Sequence, residues 1–243
     1  MTIADAGAML RVWESGVEQP AAVRALLLLR TVWPDATPDS LAEWSIGHRD
    51  AQLLVLRERM FGSTVDCLGR CPECDEAIEL NFELSGVRLA HAGPGEKFRI
   101  DIGDCELRVR APNSNDLLAL QGENDPEVAR IKLLRRCVLD GHASPDTLAL
   151  EELPAHTARI VEDRLADLDP QAEVLLEVRC PACGHQTHAP FEIETYLWTE
   201  FDRWARELMY DIHLIACAYG WSESDILSMS NTRRGAYLAL LRS

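Results

Sequence analysis

The chain has 243 residues, of which 47% are hydrophobic and 26% are charged. A chain of this length and composition can bury one full core and a small second one, which excludes disordered and collagen-like classes. Its 40 acidic and 24 basic side chains give a formal net charge of −16, which disfavours nucleic-acid binding because that binding depends on Lys and Arg neutralising phosphates.

The N-terminal segment, residues 1–62, predicts helices joined by short turns. Apolar spacing, capping residues and breakers indicate three helices: residues 20–32, a short one from Thr37 toward Trp44, and one from Ser45 to Gly62. The apolar run at residues 26–29 is far shorter than the roughly 20 residues of a membrane-spanning helix. The first residues lack a basic stretch followed by an apolar one, so a cytoplasmic location is expected.

From Ser63 the pattern changes to strand-like segments around two Cys-Pro-x-Cys pairs. Two thiolates separated by two residues can bind one tetrahedral ion from a tight turn, and two such turns supply four ligands. We therefore expect a zinc ribbon in two halves, residues 63–87 and 174–193, split by an insertion. One structural Zn²⁺ is expected, held by four ligands: Cys71, Cys74, Cys180 and Cys183.

Several alternatives to this zinc site remain. If the two Cys-Pro-x-Cys pairs do not bind metal, they are either incidental turns with free thiols or redox dithiols. A redox dithiol would need a βαβ context, which the sequence lacks. Four cysteines alone do not exclude an iron–sulfur cluster. His185 or His188 is an alternative ligand, because both closely follow the second pair. The other cysteines are expected to be core-facing or buried thiols: Cys67, Cys105, Cys137 and Cys217.

The insertion, residues 88–173, predicts a β-hairpin followed by helices. Residues 98–102 and 105–110 alternate apolar and polar around a Gly-Asp turn, which is typical of a hairpin. Ser114 is expected to cap a first helix. A second helix is predicted from Asp125, with an apolar stripe that reaches Val138, and a third over about residues 154–168.

The C-terminal segment, residues 194–243, predicts one long amphipathic helix to Tyr219, a short helix capped by Ser222, and a last helix after Asn231. Residues 61–193 hold 25 acidic and 13 basic side chains, so both ends of the chain are nearly neutral. These ends carry more aromatic surface than one stripe can bury, which indicates partner contacts, although packing on the N-terminal helices is the alternative. The candidate partner-binding residues are Trp198, Phe201, Trp204, Trp221 and Tyr237.

The expected fold class is α+β: helical N- and C-terminal segments around a split four-cysteine zinc ribbon with an inserted hairpin plus helices. Four sulfur ligands leave no open coordination position, so the metal would be structural. The sequence contains no nucleophile elbow, phosphate loop, dinucleotide fingerprint, His-Glu-x-x-His or zinc-deaminase pattern. We expect no catalytic residues and no enzymatic activity.

The two ends of the chain and the two Cys-Pro-x-Cys pairs resemble a known family. The chain ends with residues 211–216 (DIHLIA), 219–227 (YGWSESDIL) and 232–238 (TRRGAYL), and residues 49–54 (RDAQLL) and 56–62 (LRERMFG) precede the first Cys-Pro-x-Cys. This pattern resembles baseplate-hub assembly proteins of contractile-tailed phages and their counterparts in phage-derived injection systems. The resemblance implies an assembly or structural role with no catalytic residues to transfer.

The leading hypothesis is a non-enzymatic structural or chaperone-like protein of a phage-tail or injection-system baseplate hub, whose partners are hub, spike or other tail proteins. It would be cytoplasmic during assembly, and either a permanent part of the tail particle or a transient chaperone. The alternative is a zinc-ribbon adaptor that binds nucleic acid or the transcription machinery, which the charge disfavours. Partner identity and oligomeric state are left open.

Overall fold

The computed structural model of the chain describes residues 5–102, 105–143 and 155–241. The chain divides into two compact units. One unit combines both chain ends, Met1–Pro34 and Thr195–Ser243, and the other consists of Asp35–Glu194. Within the described ranges, no helix is both long enough and apolar enough to cross a membrane.

The helices of the described residues alternate with short hairpins. In chain order the helices are α1 (Ala6–Gly16), α2 (Ala21–Arg30), α3 (Pro38–Ala42), α4 (Ile46–Phe61), α5 (Ser114–Ala119), α6 (Pro126–Cys137), α7 (Ala155–Leu168), α8 (Ile193–Tyr219), α9 (Glu223–Leu227) and α10 (Asn231–Leu241). The strands are β1 (Thr64–Arg70), β2 (Ala77–Glu83), β3 (Lys97–Ile102), β4 (Cys105–Arg110), β5 (Val138–Ala143), β6 (Leu175–Arg179) and β7 (Gln186–Pro190). Mixed helices and small antiparallel sheets confirm the α+β class.

The unit formed by both chain ends is helical. Residues spaced by three or four along α8 are buried against α1, α9 and α10, and the shared core contains Leu10, Ala205, Leu208, Ile212, Ile215, Ile226 and Leu238. Trp13 Nε1 donates a hydrogen bond to Asp202 Oδ1 at 2.8 Å, which ties α1 to α8. The long helix and the two short helices after it were predicted within about one residue, because each has a clear cap or breaker.

The inserted segment forms a three-stranded antiparallel sheet in the order β3-β4-β5. The hairpin register pairs Phe98 with Val109 and Ile100 with Leu107, as the alternation predicts. The helix predicted through Val138 is wrong at its end, because α6 stops at Cys137 and Val138 begins β5, where it pairs with Val109 of β4. A two-stranded hairpin is marginal by itself, and this β-branched residue suits a third strand that completes the sheet.

The cap of α5 also differs from the prediction. Asn113, not Ser114, is the N-cap: its side chain accepts from Asp116 N at 3.1 Å, and Asp116 Oδ2 accepts from Asn113 N at 3.0 Å. Arg110 and Arg136 both donate to the fully buried Asp116 carboxylate. Burial would raise the pKa of Asp116, but hydrogen bonds from Arg110 hold it below its usual value. Asparagine is at least as good an N-cap as serine, and this capping box satisfies two backbone donors at once.

Candidate metal centre

Each Cys-Pro-x-Cys pair lies in the turn of a two-stranded hairpin. β1 pairs with β2 and β6 with β7, both antiparallel. The last paired residues are Arg70 with Ala77 in the first hairpin and Arg179 with Gln186 in the second, so each pair of cysteines occupies the same place relative to the strands. The two hairpins are thus structural repeats of each other, as their sequences indicate.

The two turns also share their backbone hydrogen bonds. Cys71 N donates to Glu76 O and Cys180 N donates to His185 O, both at 2.9 Å. The residue after the second cysteine has a positive φ in both turns, 56° at Asp75 and 75° at Gly184. Glycine and aspartate are among the residues that accept this left-handed conformation, so the sequence supports the same tight turn twice.

The turns bring the four cysteine sulfurs into one cluster, in which all ligand atoms lie within 4.8 Å of one another. Cys71 Sγ lies 3.6 Å from Cys183 Sγ, and Cys74 Sγ lies 3.7 Å from Cys180 Sγ. A disulfide would require about 2.0 Å. Four sulfurs placed tetrahedrally about 2.3 Å from a zinc ion lie about 3.8 Å from each other. The cluster therefore has the dimensions of a tetrahedral thiolate site.

The cluster has an inner and an outer side. Cys71 and Cys180 are each 2% exposed and pack with Ile78 and Val178, whereas Cys74 and Cys183 are exposed. The apolar contacts align the two hairpins on the inner side, and the outer thiols lie at the surface. A metal ion held here would join the hairpins where their small shared core ends.

Backbone donors favour the ligating form of one thiol. A hydrogen bond from the backbone N–H of Cys183 lowers the pKa of Cys180 to about 7, although desolvation acts in the opposite direction. The thiolate is the form that binds metal. Four thiols on two rigid turns fit a metal ion such as zinc, and all four tetrahedral positions would be filled by protein.

The other candidate ligands lie outside this cluster. Among the described residues, the metal-compatible group contains the four cysteines and neither His185 nor His188. Cys67 is half-buried in β1. Cys137 is buried as expected, and burial raises the pKa of its thiol to about 12. The expectation of a buried thiol is wrong for Cys217, which is exposed on α8 with its Sγ 3.8 Å from the His213 ring. The side chain of Cys105 lies outside the described residues.

The predicted partner-binding aromatics divide into two groups. Trp198 is 6% exposed and Phe201 is fully buried, so for these two residues the prediction is corrected. Arg24 lies 4.9 Å above the Trp198 ring, and Phe201 meets that ring edge-on at 5.4 Å. A side chain enclosed in this way has no surface to offer a partner. Contact with the N-terminal helices, the alternative interpretation, is seen for Trp198 through Arg24, whereas the ring contacts of Phe201 are with Trp198 and Trp204.

The other three aromatics keep part of their surface. Trp204 is half-buried and stacks on Phe201 at 5.6 Å. Trp221 and Tyr237 are also half-buried and meet edge-on at 4.8 Å beside Tyr219. Their role in partner binding stays a prediction.

Sequence reasoning missed a buried ionic cluster in the unit of residues 35–194. Arg49, only 2% exposed, donates from Nε to Asp50 Oδ1 at 2.7 Å, and its Nη2 lies 2.6 Å from Glu194 Oε2. Burial raises the pKa of Asp50 to about 6 despite the neighbouring Arg49 charge. The adjacent Arg-Asp pair is visible in the sequence, but Glu194 is remote along the chain, so no local pattern indicates the cluster.

Comparison with known proteins identifies a family. A family model described as "T4 bacteriophage base plate protein" matches residues 27–198, which is well over half of the chain and includes all four clustered cysteines. No curated protein and no solved structure matches the chain.

Proposed function

The chain belongs to the T4 bacteriophage base plate protein family, and from that premise we propose that it is a non-enzymatic structural or assembly protein of the baseplate hub in a contractile tail or injection system. The observation that carries the proposal is the family match over residues 27–198. The closing residues 211–238, which lie beyond this match, also resemble hub assembly proteins and support the more specific assignment to the hub.

The metal in this proposal is a single structural Zn²⁺ bound by Cys71, Cys74, Cys180 and Cys183. The sulfur distances of 3.6 and 3.7 Å suit tetrahedral zinc. With four protein ligands the ion would have no position for substrate or water, which agrees with a structural role. The two hairpins would then form a zinc ribbon split by residues 88–173, between helical segments 1–62 and 194–243.

The partners in this proposal are hub, spike or other tail proteins. The half-buried aromatics Trp204, Trp221 and Tyr237 remain candidate contacts on the nearly neutral C-terminal segment. The protein would act in the cytoplasm during assembly, and would either remain in the tail particle or leave it as a transient chaperone. The net charge of −16 is unfavourable for the alternative role of a nucleic-acid-binding adaptor.

Deletion of the gene tests this proposal. In a phage or injection system that encodes the protein, we expect an in-frame deletion to yield tubes and sheaths without complete baseplates in electron micrographs. The intact gene supplied in trans should restore complete tails. Normal tails in the deletion strain would overturn the proposal, and a salt-dependent shift of DNA or RNA by the purified protein would favour the adaptor.

A further inference from the structure

A cavity of about 260 Å³ lies in the unit of residues 35–194, beside the buried ionic cluster. The start of α4, one residue of α5, and two segments at residues 171–174 and 190–194 enclose it. Its volume falls just below the roughly 300–1,000 Å³ of small-ligand pockets, so it has room for one side chain rather than for a large cofactor.

The lining of the cavity is strongly acidic. Four of its residues carry carboxylates and one carries a guanidinium: Asp50, Glu173, Glu192, Glu194 and Arg49. The single cation is already shared, because Arg49 contacts Asp50 at 2.7 Å and Glu194 at 2.6 Å. One guanidinium between two carboxylates leaves negative charge in excess, and this excess favours a cationic occupant.

The shared ion pair is also incompletely hydrogen-bonded. Arg49 is 2% exposed and its Nη1 donates no hydrogen bond to the described residues, whereas Glu194 Oε2 is paired with Arg49 Nη2 at 2.6 Å. A buried polar atom without a partner is destabilising, because it has lost its hydrogen bonds to water and gained none in return. An occupant that brings a carbonyl oxygen to Arg49 Nη1 would satisfy this donor.

Apart from Gln171, the remaining wall is apolar. Its side chains belong to α4, α5 and the segments that flank β6 and β7: Ile46, Leu54, Leu117, Val174, Phe191 and Ile193. Lysine and arginine place their aliphatic stems on apolar surface and their charged heads at polar groups. An apolar wall beside an acidic end matches this division.

We propose that the cavity is a docking site for one basic side chain, lysine or arginine, from an exposed loop or terminus of a neighbouring tail protein. The cationic head contacts Glu194 and Asp50, the aliphatic stem lies on the apolar wall, and a backbone carbonyl of the same peptide accepts from Arg49. The identity of the partner as a tail protein rests on the proposed function, whereas the chemistry of the cavity does not.

Titration of the purified full chain with Nα-acetyl-lysine methylamide, followed by backbone amide NMR shifts, tests the site. We expect saturable shifts at Ile46, Gln171 and Ile193, and binding that weakens as salt is added because charge attraction is screened. Nα-acetyl-norleucine methylamide has the same stem without the charge and should bind at least about 10-fold more weakly, which corresponds to about 1.4 kcal/mol.

Charge variants localise the effect. Glu194→Gln keeps the shape of the side chain and should weaken lysine-probe binding about 10-fold. Glu79→Gln, an exposed acid on β2 outside the cavity, should leave it unchanged. Equal binding of the norleucine probe, tighter binding of the matching glutamate probe, or no shifts at tens of millimolar would each overturn the inference. Since the probe assay uses the isolated protein, its failure is distinct from failure of the baseplate role.

Discussion

Removing one outer thiol of the sulfur cluster separates a metal effect from a packing effect. Cys74 and Cys183 are exposed, so Cys74→Ser or Cys183→Ser leaves no cavity and buries no hydroxyl, unlike the same change at the inner cysteines. The exposed Cys217 lies outside the cluster, and Cys217→Ser is therefore a control with the same chemistry. Any larger loss of stability in the cluster variants reports the metal.

The expected magnitude follows from chain connectivity. The metal would join Cys74 to Cys180, which are 106 positions apart along the chain. A cross-link that closes a loop of about 100 residues stabilises by about 4.7 kcal/mol through the unfolded state. If a three-ligand site no longer holds zinc, the unit of residues 35–194 loses about 3–5 kcal/mol of unfolding free energy, and its Tm falls by about 6–20 °C.

The assay is urea and thermal unfolding, with the zinc content of each variant measured by inductively coupled plasma mass spectrometry. We expect both cluster variants to lose zinc and stability together, and the wild type to lose a similar amount when a strong chelator removes the metal. The Cys217→Ser variant should match the wild type. Cluster variants that unfold like the wild type, or a fully folded wild type that purifies without metal, would rule out a stabilising metal at the four cysteines.

Two further predictions concern the start of α4. The pKa of Asp50 is raised from 3.8 to about 6 in the native state. Between about pH 6 and pH 4 the native state therefore binds a proton that the unfolded state does not. The contribution of Asp50 to stability thus grows as pH falls through this window. Relative to Asp50→Asn, the wild type should gain about 1 kcal/mol between pH 7.5 and pH 5 in urea unfolding, and identical pH profiles would contradict the assignment. In Gly47→Ala, the new Cβ would lie 2.2 Å from Asp169 Oδ1, and Asp169 is buried and accepts from Gly47 N and Ala92 N. We expect this variant to lose about 1–3 kcal/mol of unfolding free energy. Gly86→Ala should lose none, because nothing lies within 4 Å of its new Cβ. Equal stability of the two variants would show that Asp169 can move.

Local signals account for the features that the sequence predicts well. Two matching Cys-Pro-x-Cys turns with the same strand flanks specify both hairpins and the identity of the clustered thiols. Clear caps and a regular apolar stripe specify α8 through α10. In each case the signal lies within a few residues of the structure that it determines.

Features set by distant contacts were missed. Val138 continues the apolar stripe of α6, and only its pairing with Val109 in β4 makes it a strand residue. The sequence leaves both partner contact and core packing open for Trp198 and Phe201, and only the folded unit shows that both are buried. The partnership of Arg49 with Glu194 joins residues more than a hundred positions apart, so the acidic cavity follows from the fold rather than from any motif.

The baseplate role is tested most directly by quantitative mass spectrometry of tail-assembly intermediates and finished tails from one lysate. We expect this chain at a fixed ratio to hub proteins in the assembly intermediates, and also in the finished tails if it is a permanent component. Its absence from both the intermediates and the finished tails, in a lysate that produces complete tails, would rule out the baseplate role.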